Sequence, residues 1–206
     1  MANNVTVETQ EELRAALARG KTPTCVGSGT FDVDGPAVVW ACDTVRVRAG
    51  GHAEIVAFES AEVEAYDSAN VAASDSVKVS AHDSAHVTAF RQTVVEAGDD
   101  ATVDAYGKAK VEAYDRARVS SSDSSELLAY NQAEVEAFGR AQVSAHDSAR
   151  ITARGEARIE AYDQAKVEAH GHVTVDAHGS AEVIASSEVA ITDHGPDTRI
   201  SRGLLD

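Results

Sequence analysis

Two rows of side chains with potential chemistry recur at fixed spacing in this chain. The aromatic row has one member every 24 residues and comprises Tyr66, Phe90, Tyr114, Phe138 and Tyr162. Glutamates lie two residues before four of these aromatics, and they are Glu64, Glu112, Glu136 and Glu160. Carboxylates beside aromatic rings favour a basic partner, through charge pairing and through stacking of arginine on the rings. We therefore predict that these nine residues form a partner-binding surface, the alternative being that the acids serve solubility and the rings seal a corner.

The many carboxylates do not single out a catalytic pair. A glycosidase needs two particular carboxylates facing each other across the scissile bond. Here the Asp and Glu residues recur at regular positions, and no inserted loop is present to build a cleft. The sequence also contains no phosphate loop, nucleophile elbow or HExxH motif. We therefore expect a protein that is not an enzyme, with no catalytic residue and no cofactor.

Three histidines, His146, His170 and His194, also recur every 24 residues. Imidazole is a ligand for zinc, copper or nickel, so a surface row of histidines could bind a transition metal. The simpler interpretation is a polar row at a corner position that holds Tyr, Ser or Gly elsewhere. On that interpretation we expect no metal site.

The aromatic, glutamate and histidine rows all belong to a repeat of eight residues. This repeat runs from Ala37 to Pro196 in 20 blocks without insertion or deletion. Position 3 is Val or Ile in 19 blocks and position 5 is Ala in 18, whereas positions 2 and 4 are mostly polar. This alternation predicts a short strand with one buried face. Position 7 is Asp, Gly or Asn in 17 blocks, and these residues tolerate the left-handed backbone of a sharp corner. A strand and a corner in every block predict a β-solenoid.

Position 6 suggests how many blocks make one coil. When every third block is taken, one set contains five consecutive aromatics, and another contains small residues followed by histidines. We therefore predict an all-β, three-sided, right-handed parallel β-helix with 24 residues per coil. Its length would be about 30 Å at ~4.8 Å per rung. One buried column would then comprise Val63, Val87, Val111, Val135 and Ile159.

The chain divides into residues 1–36, the repeats of residues 37–196 and a tail of residues 197–206. In the first part, Thr9 followed by Glu12 matches a capping box, which begins an amphipathic stretch. We predict an opening strand, a short helix that covers the first coil, and an irregular first coil.

The tail contains Ile200, Leu204 and Leu205, which would cap the last coil or form a contact. An uncovered solenoid end exposes an apolar rung and an unpaired backbone edge. We therefore predict a homodimer through the C-terminal coils.

The opening VTVETQEELRAALARG followed by CVGSGTFDV resembles the entry of right-handed parallel β-helix proteins of the pectate-lyase-like kind, in which a strand and a helix precede the first coil. The octads AEVEAYDS, ANVAASDS and AQVSAHDS resemble the repeats of bacterial and phage polymer-forming cytoskeletal proteins, the bactofilin-like proteins. This resemblance implies the right-handed fold and a structural role, and it carries no catalytic residue. Bactofilin-type proteins polymerise through both open ends, whereas the predicted helix would block one end here.

Composition narrows the possible partners. The chain of 206 residues has a formal net charge of −16, which argues against direct binding to nucleic acid or to an anionic membrane. No apolar run is long enough to span a bilayer, and the N-terminus has no apolar signal core, so we expect a cytoplasmic protein.

Two functional hypotheses follow from this composition and from the repeats. The first is a structural scaffold or protein-binding β-solenoid of phage or bacterial origin, with a basic protein partner. The second is an acidic, nucleic-acid-mimicking inhibitor of the anti-CRISPR or anti-restriction type. Lysines and arginines interspersed among the acids favour the first, because they dilute a phosphate-like array.

Overall fold

The computed structural model describes residues 4–203, in which one helix and 24 short strands are present. Helix α1 spans Gln10–Ala18. The strands are β1 (Asn4–Val7), β2 (Thr22–Cys25), β3 (Thr30–Val33), β4 (Val38–Ala41), β5 (Arg46–Ala49), β6 (Glu54–Ala57), β7 (Glu62–Ala65), β8 (Asn70–Ala73), β9 (Lys78–Ala81), β10 (His86–Ala89), β11 (Val94–Ala97), β12 (Thr102–Ala105), β13 (Lys110–Ala113), β14 (Arg118–Ser121), β15 (Glu126–Ala129), β16 (Glu134–Ala137), β17 (Gln142–Ala145), β18 (Arg150–Ala153), β19 (Arg158–Ala161), β20 (Lys166–Ala169), β21 (Thr174–Ala177), β22 (Glu182–Ala185), β23 (Ala190–Asp193) and β24 (Arg199–Arg202).

The strands alternate between two parallel sheets. A 13-stranded sheet contains β1 and the even-numbered strands, and an 11-stranded sheet contains the odd-numbered strands from β3 to β23. Within the repeats each residue pairs with the residue 16 positions further on, as Val95 pairs with Val111 and Val111 with Leu127. One coil therefore contains two strands and two corners, and the 24 strands make about 12 coils.

The parallel β-solenoid and its N-terminal helix are confirmed, but the three-sided coil of 24 residues is wrong. The buried positions are alike in every block, so they carry no information about the number of blocks per coil. Position 6 lies at a partly exposed corner, where packing constrains the residue type only weakly. The two-sided rod is roughly 55–60 Å long at the usual strand spacing, about twice the predicted length.

The core between the two sheets is built from Val, Ile and Ala. All five side chains of the predicted valine column are at most 2% exposed. They nevertheless form two columns, because Val87 and Val135 belong to the 13-stranded sheet and Val63, Val111 and Ile159 to the other. Alanine at position 5 leaves only a methyl group between the sheets, so the two sheets can pack closely.

The backbone conformation and hydrogen bonds of the corners explain why aspartate is common at position 7. Asp147 has a φ of 56° and Asp163 also has a φ of 56°, in the left-handed region. The Asp147 carboxylate accepts a hydrogen bond from the backbone N–H of Asn131, one coil earlier, at 3.0 Å. The Asp163 carboxylate accepts from the N–H of Asp147 at 3.2 Å. Aspartate thus meets two needs of the corner, since it tolerates this backbone conformation and joins successive coils.

Helix α1 closes part of the N-terminal end. Its N-terminus is capped by Thr9, whose hydroxyl accepts from the N–H of Glu12 at 3.3 Å. Leu13 is buried against the first coil. The Gln10 side-chain amide donates to the carbonyl of Asp32 and accepts from its N–H, both at 2.9 Å. Gln10 therefore takes the place of a neighbouring strand at the edge of β3.

At the other end, the tail continues the solenoid. Strand β24 pairs with β22, and Ile200 lies beside Val183 with 38% of its surface exposed. The Arg202 guanidinium donates to the carbonyls of Ser186 and Val189, both at 3.2 Å. Arg202 thus satisfies backbone acceptors of the last corner, whereas Leu204 and Leu205 lie outside the described residues.

Candidate functional site

A stack of six rings runs along one corner edge of the solenoid. The rings follow consecutive strands of the 11-stranded sheet, from β13 to β23, and together form what we name the ring ladder: Tyr114, Tyr130, His146, Tyr162, His178 and His194. Neighbouring centroids are 4.4–5.2 Å apart and neighbouring planes are within 14° of parallel. The ring faces therefore cover one another, and the phenol and imidazole edges are the parts presented to solvent.

The backbone dictates this spacing. Position 6 directly follows each strand, and parallel strands in register are about 4.8 Å apart. Side chains of the same type at this position must then stack at nearly the same interval, which suits aromatic rings. A shorter stack of Tyr66 and His82, with centroids 5.2 Å apart, lies on the same edge. Gly98 separates it from the ring ladder.

Glutamates at position 4 bind the phenol groups of the rings. The Tyr114 hydroxyl donates to Glu112 at 2.5 Å, and the Tyr162 hydroxyl donates to Glu160 at 3.0 Å. The hydrogen bond to Glu112 raises the pKa of Tyr114 to about 12, with burial and the glutamate charge adding to the effect. The pKa of Tyr162 is raised chiefly by its bond to Glu160. These tyrosines therefore stay neutral, and each fixes a carboxylate beside the ladder.

The structure divides the predicted site between two faces. Tyr66, Tyr114 and Tyr162 lie on the ladder edge, together with Glu64, Glu112 and Glu160 of the 11-stranded sheet. Three other predicted members belong to the 13-stranded sheet and its corners: Phe90, Phe138 and Glu136. A step of 24 residues is one and a half coils, so alternate members fall on opposite edges. Phe90 stacks instead on Tyr106, with centroids 5.4 Å apart.

Sequence analysis missed four members of the ring ladder as partners of the tyrosines: Tyr130, His146, His178 and His194. Position 6 contained the signal, because every second block from Tyr114 onward holds Tyr or His. At the 16-residue spacing the sequence therefore shows six consecutive Tyr or His residues, a longer run than the five aromatics at the 24-residue spacing.

The predicted histidine row does not form. His170 lies on the opposite edge from His146 and His194, and its Nε2 is 3.0 Å from Glu168. His146 and His194 are separated by Tyr162 and His178 within the ring ladder. Among residues 4–203, no group of three or more His, Cys, Asp or Glu side chains is arranged to hold a metal ion.

The outer face of the 11-stranded sheet beside the ladder forms a shallow groove of about 600 Å³ between β13 and β21. Its outer row, at position 2, mixes charges, and Lys110 pairs with Glu126 at 2.7 Å. The row next to the ladder, at position 4, contains acids and no cation: Glu112, Leu128, Ser144, Glu160 and Asp176. The ladder is therefore bordered by negative charge on this side.

Aspartates border the other side of the same edge. Position 7 carries Asp115, Asn131, Asp147 and Asp163 alongside the first four rings. All four residues are exposed. Each aspartate that accepts a backbone N–H does so through one oxygen, so its second oxygen remains available to a partner. The ring edges are thus bordered by carboxylates on both sides.

Neither cysteine has the character of an activated nucleophile. Cys25 is fully buried, and burial raises the pKa of its thiol to about 12. The pKa of Cys42 is raised first by burial and then by the negative charges of Glu59 and Asp43. Reactive cysteines have the opposite environment, with a lowered pKa beside positive charge.

No protein-family model matches the chain, and no curated protein or solved structure is significantly similar to it. The resemblance to bactofilin-like proteins therefore depends on the octads and on the solenoid. Among the described residues no helix is long and apolar enough to cross a membrane.

Proposed function

We propose that this chain is a non-enzymatic scaffold or binding rod that holds a basic protein partner on its ladder edge. The observation that supports this proposal is the ring ladder with carboxylates on both sides. Six ring edges at a regular interval form one continuous surface, and four of the rings have a carboxylate beside them in their own block. Such a surface suits an extended contact with another protein.

The expected contacts are polar. Lysines and arginines of the partner would pair with Glu112, Glu160 and Asp176 and with the exposed aspartate oxygens at the corners. Phenol and imidazole edges would add hydrogen bonds between these ion pairs. The stacked rings and the hydrogen-bonded glutamates are already held in place, so little side-chain entropy is lost on binding.

The shape of the rod supports a binding role over a catalytic one. The repeats carry no inserted loop, and the groove beside the ladder is shallow and open. Binding through a rigid face requires neither a cleft nor a cofactor. We further propose that the protein acts in the cytoplasm of a bacterium or of a phage-infected cell.

A nucleic-acid mimic is the second candidate, and the corner aspartates are the observation that favours it. Six of them follow the ladder edge: Asp67, Asp83, Asp99, Asp115, Asp147 and Asp163. Their spacing of ~4.8 Å along the rod is wider than the rise of 3.4 Å per phosphate of one strand along the DNA axis. Arg116 and Arg158 also interrupt the acidic surface. We therefore rank mimicry below a protein-binding scaffold.

The predicted homodimer through the C-terminal coils stays a prediction. The exposed surface of Ile200 and the outer backbone edges of β23 and β24 support it. The polar cover that Arg202 provides opposes it. Sedimentation velocity of the intact chain and of the Ile200→Lys variant tests for this dimer. Only a dimer through the C-terminal end would dissociate in the variant.

A matched pair of charge reversals tests the binding face. One variant carries Glu112→Lys and Glu160→Lys beside the ladder, and the control carries Glu136→Lys and Glu168→Lys at the same repeat position on the other sheet. Both change the net charge equally. We expect a basic protein from a host extract, identified by mass spectrometry, to be retained by the native chain and the control and lost by the ladder variant. Equal retention by both variants would refute this binding face.

The captured protein then separates the two candidate functions. A scaffold should bind it without displacement by duplex DNA. A mimic should compete with DNA, because it would occupy the surface with which the partner binds nucleic acid. Salt should weaken both kinds of binding, since both depend on exposed charges.

A further inference from the structure

The ring row on the ladder edge is interrupted at one place, Gly98. His82 lies one coil before Gly98 and Tyr114 lies one coil after it, each at position 6 on the same edge. The outer face of each ring is covered, His82 by Tyr66 and Tyr114 by Tyr130, both with centroids 5.2 Å apart. Their inner faces point toward each other across a notch one coil wide.

The backbone at Gly98 does not require glycine. Its N–H donates to the carbonyl of Ala81 at 2.9 Å and its carbonyl accepts from Ala101 at 3.0 Å, the same bonds that Tyr114 makes in its own coil. A Cβ added here would meet no atom closer than Asp115 Oδ2, at 3.8 Å. A side chain could therefore begin here without a clash at Cβ, and the notch is open because this position has no side chain.

The width of the notch matches one flat group. Two strand spacings separate His82 from Tyr114, which is about 10 Å. Rings in the uninterrupted stack have centroids 4.4–5.2 Å apart, so a planar group halfway across would stack on both walls at the usual interval.

The rim of the notch is acidic. Glu96 and Glu112 lie at position 4 on one side, and Asp99 and Asp115 lie at position 7 on the other. The Asp99 carboxylate is 4.0 Å from His82 Nδ1. The nearby Arg116 is held by Asp100 in a paired contact at 2.9 and 2.5 Å. Arg116 is thus already paired with Asp100, and the carboxylates of the rim favour the binding of an external cation.

We propose that the Gly98 notch binds the guanidinium group of an arginine from a protein partner, stacked between His82 and Tyr114. A guanidinium is flat, carries positive charge, and has N–H donors around its edge. Its two faces meet the rings while its edge donates to the carboxylates on both sides. Lysine has the charge without the flat shape. The source of the arginine rests on the proposed function, but the chemistry of the notch does not.

Another notch on the opposite edge provides a control. Ser74 lies between Phe58 and Phe90, again at position 6. There, position 4 carries Val56, Ala72 and Thr88, and Arg91 replaces an aspartate at one corner. That notch has aromatic walls of the same spacing and two acids at position 7, Glu59 and Asp75, but it has no acid at position 4. Asp75 is already paired with Arg91 at 3.6 Å, so this notch should bind a guanidinium group much more weakly.

Two peptides serve as probes, acetyl-Gly-Arg-Gly-amide and acetyl-Gly-Lys-Gly-amide, titrated into the full chain at pH 8 and low salt and followed by NMR. We expect the arginine side-chain protons to shift upfield and the His82 and Tyr114 ring signals to move. The lysine peptide should bind at least fivefold more weakly. Equal binding of both peptides would show that charge alone acts, and it would overturn the proposal.

Three variants locate the site. Gly98→Tyr should join the two stacks, raise the melting temperature and abolish binding of the arginine peptide. Ser74→Tyr should leave binding unchanged. Glu96→Gln with Asp99→Asn should weaken binding at least fivefold while keeping the corner, since Asn tolerates the left-handed backbone.

Undiminished arginine-peptide binding by a folded Gly98→Tyr variant would overturn the proposal. That failure would leave the ladder face intact as a binding surface. Conversely, the charge-reversal experiment can fail while the peptide still binds the notch, so the two ideas are tested separately.

Discussion

Asp147 provides the sharpest test of why the corners carry aspartate. Its φ of 56° lies in the left-handed region, and its carboxylate accepts the Asn131 N–H at 3.0 Å. Alanine would lose both advantages. The left-handed conformation costs an ordinary residue about 1–2 kcal/mol, and the lost hydrogen bond costs about 0.5–1.5 kcal/mol. Asp147→Ala should therefore destabilise the solenoid by roughly 1.5–3.5 kcal/mol.

Two further substitutions separate these contributions. Asp147→Gly removes the acceptor but keeps the backbone freedom, so it should cost less than alanine, about 1–2.5 kcal/mol with the added chain entropy of glycine. Asp147→Asn keeps both the acceptor and the tolerance of the left-handed region, and it should be close to neutral. Equilibrium urea unfolding, followed by circular dichroism, measures all three. If alanine and asparagine destabilise equally, neither the hydrogen bond nor the backbone conformation explains the corner aspartate.

Two other predictions concern the core and the ladder. Val111 is 1% exposed, so Val111→Asp would bury an unpaired carboxylate at a cost of several kcal/mol. The variant should unfold at a lower temperature in a thermal melt, beginning in the middle of the rod. An unchanged melting temperature would mean that Val111 does not point inward. The pKa of Tyr114 is raised from 10.0 to about 12, so the folded chain holds this proton more tightly than the unfolded chain. The resulting stability is complete below pH 10 and lost as the pH rises toward 12. Titration by absorbance at 295 nm should show Glu112→Gln bringing the Tyr114 transition toward 10, and an unshifted transition would contradict the role of Glu112.

Much of the architecture could be predicted from the repeats. The alternation of Val63 and Ala65 with polar neighbours indicates a strand with one buried face, and both side chains are at most 2% exposed. Asp, Gly or Asn in 17 of the 20 corners indicates left-handed backbone, which the φ of 55° at Asp67 confirms. Thr9 and Glu12 predict the start of the helix. These features depend on contacts within a few residues or on burial alone, so the sequence of a short segment is enough to predict them.

The number of blocks per coil was decided only by the tertiary structure. Every block presents the same Val and Ala to the core, so coils of two or three blocks bury equivalent side chains, and the buried positions do not distinguish them. Small residues at Gly50, Ser74, Gly98 and Ser122 do recur every 24 residues, but in the folded rod they interrupt alternate edges. Strand pairing at a 16-residue offset brings Tyr114, Tyr130 and His146 into one stack and sends Phe138 to the opposite edge. The local sequence thus determined which side chains are buried and where the corners lie, and the closure of the coil decided which exposed side chains become neighbours.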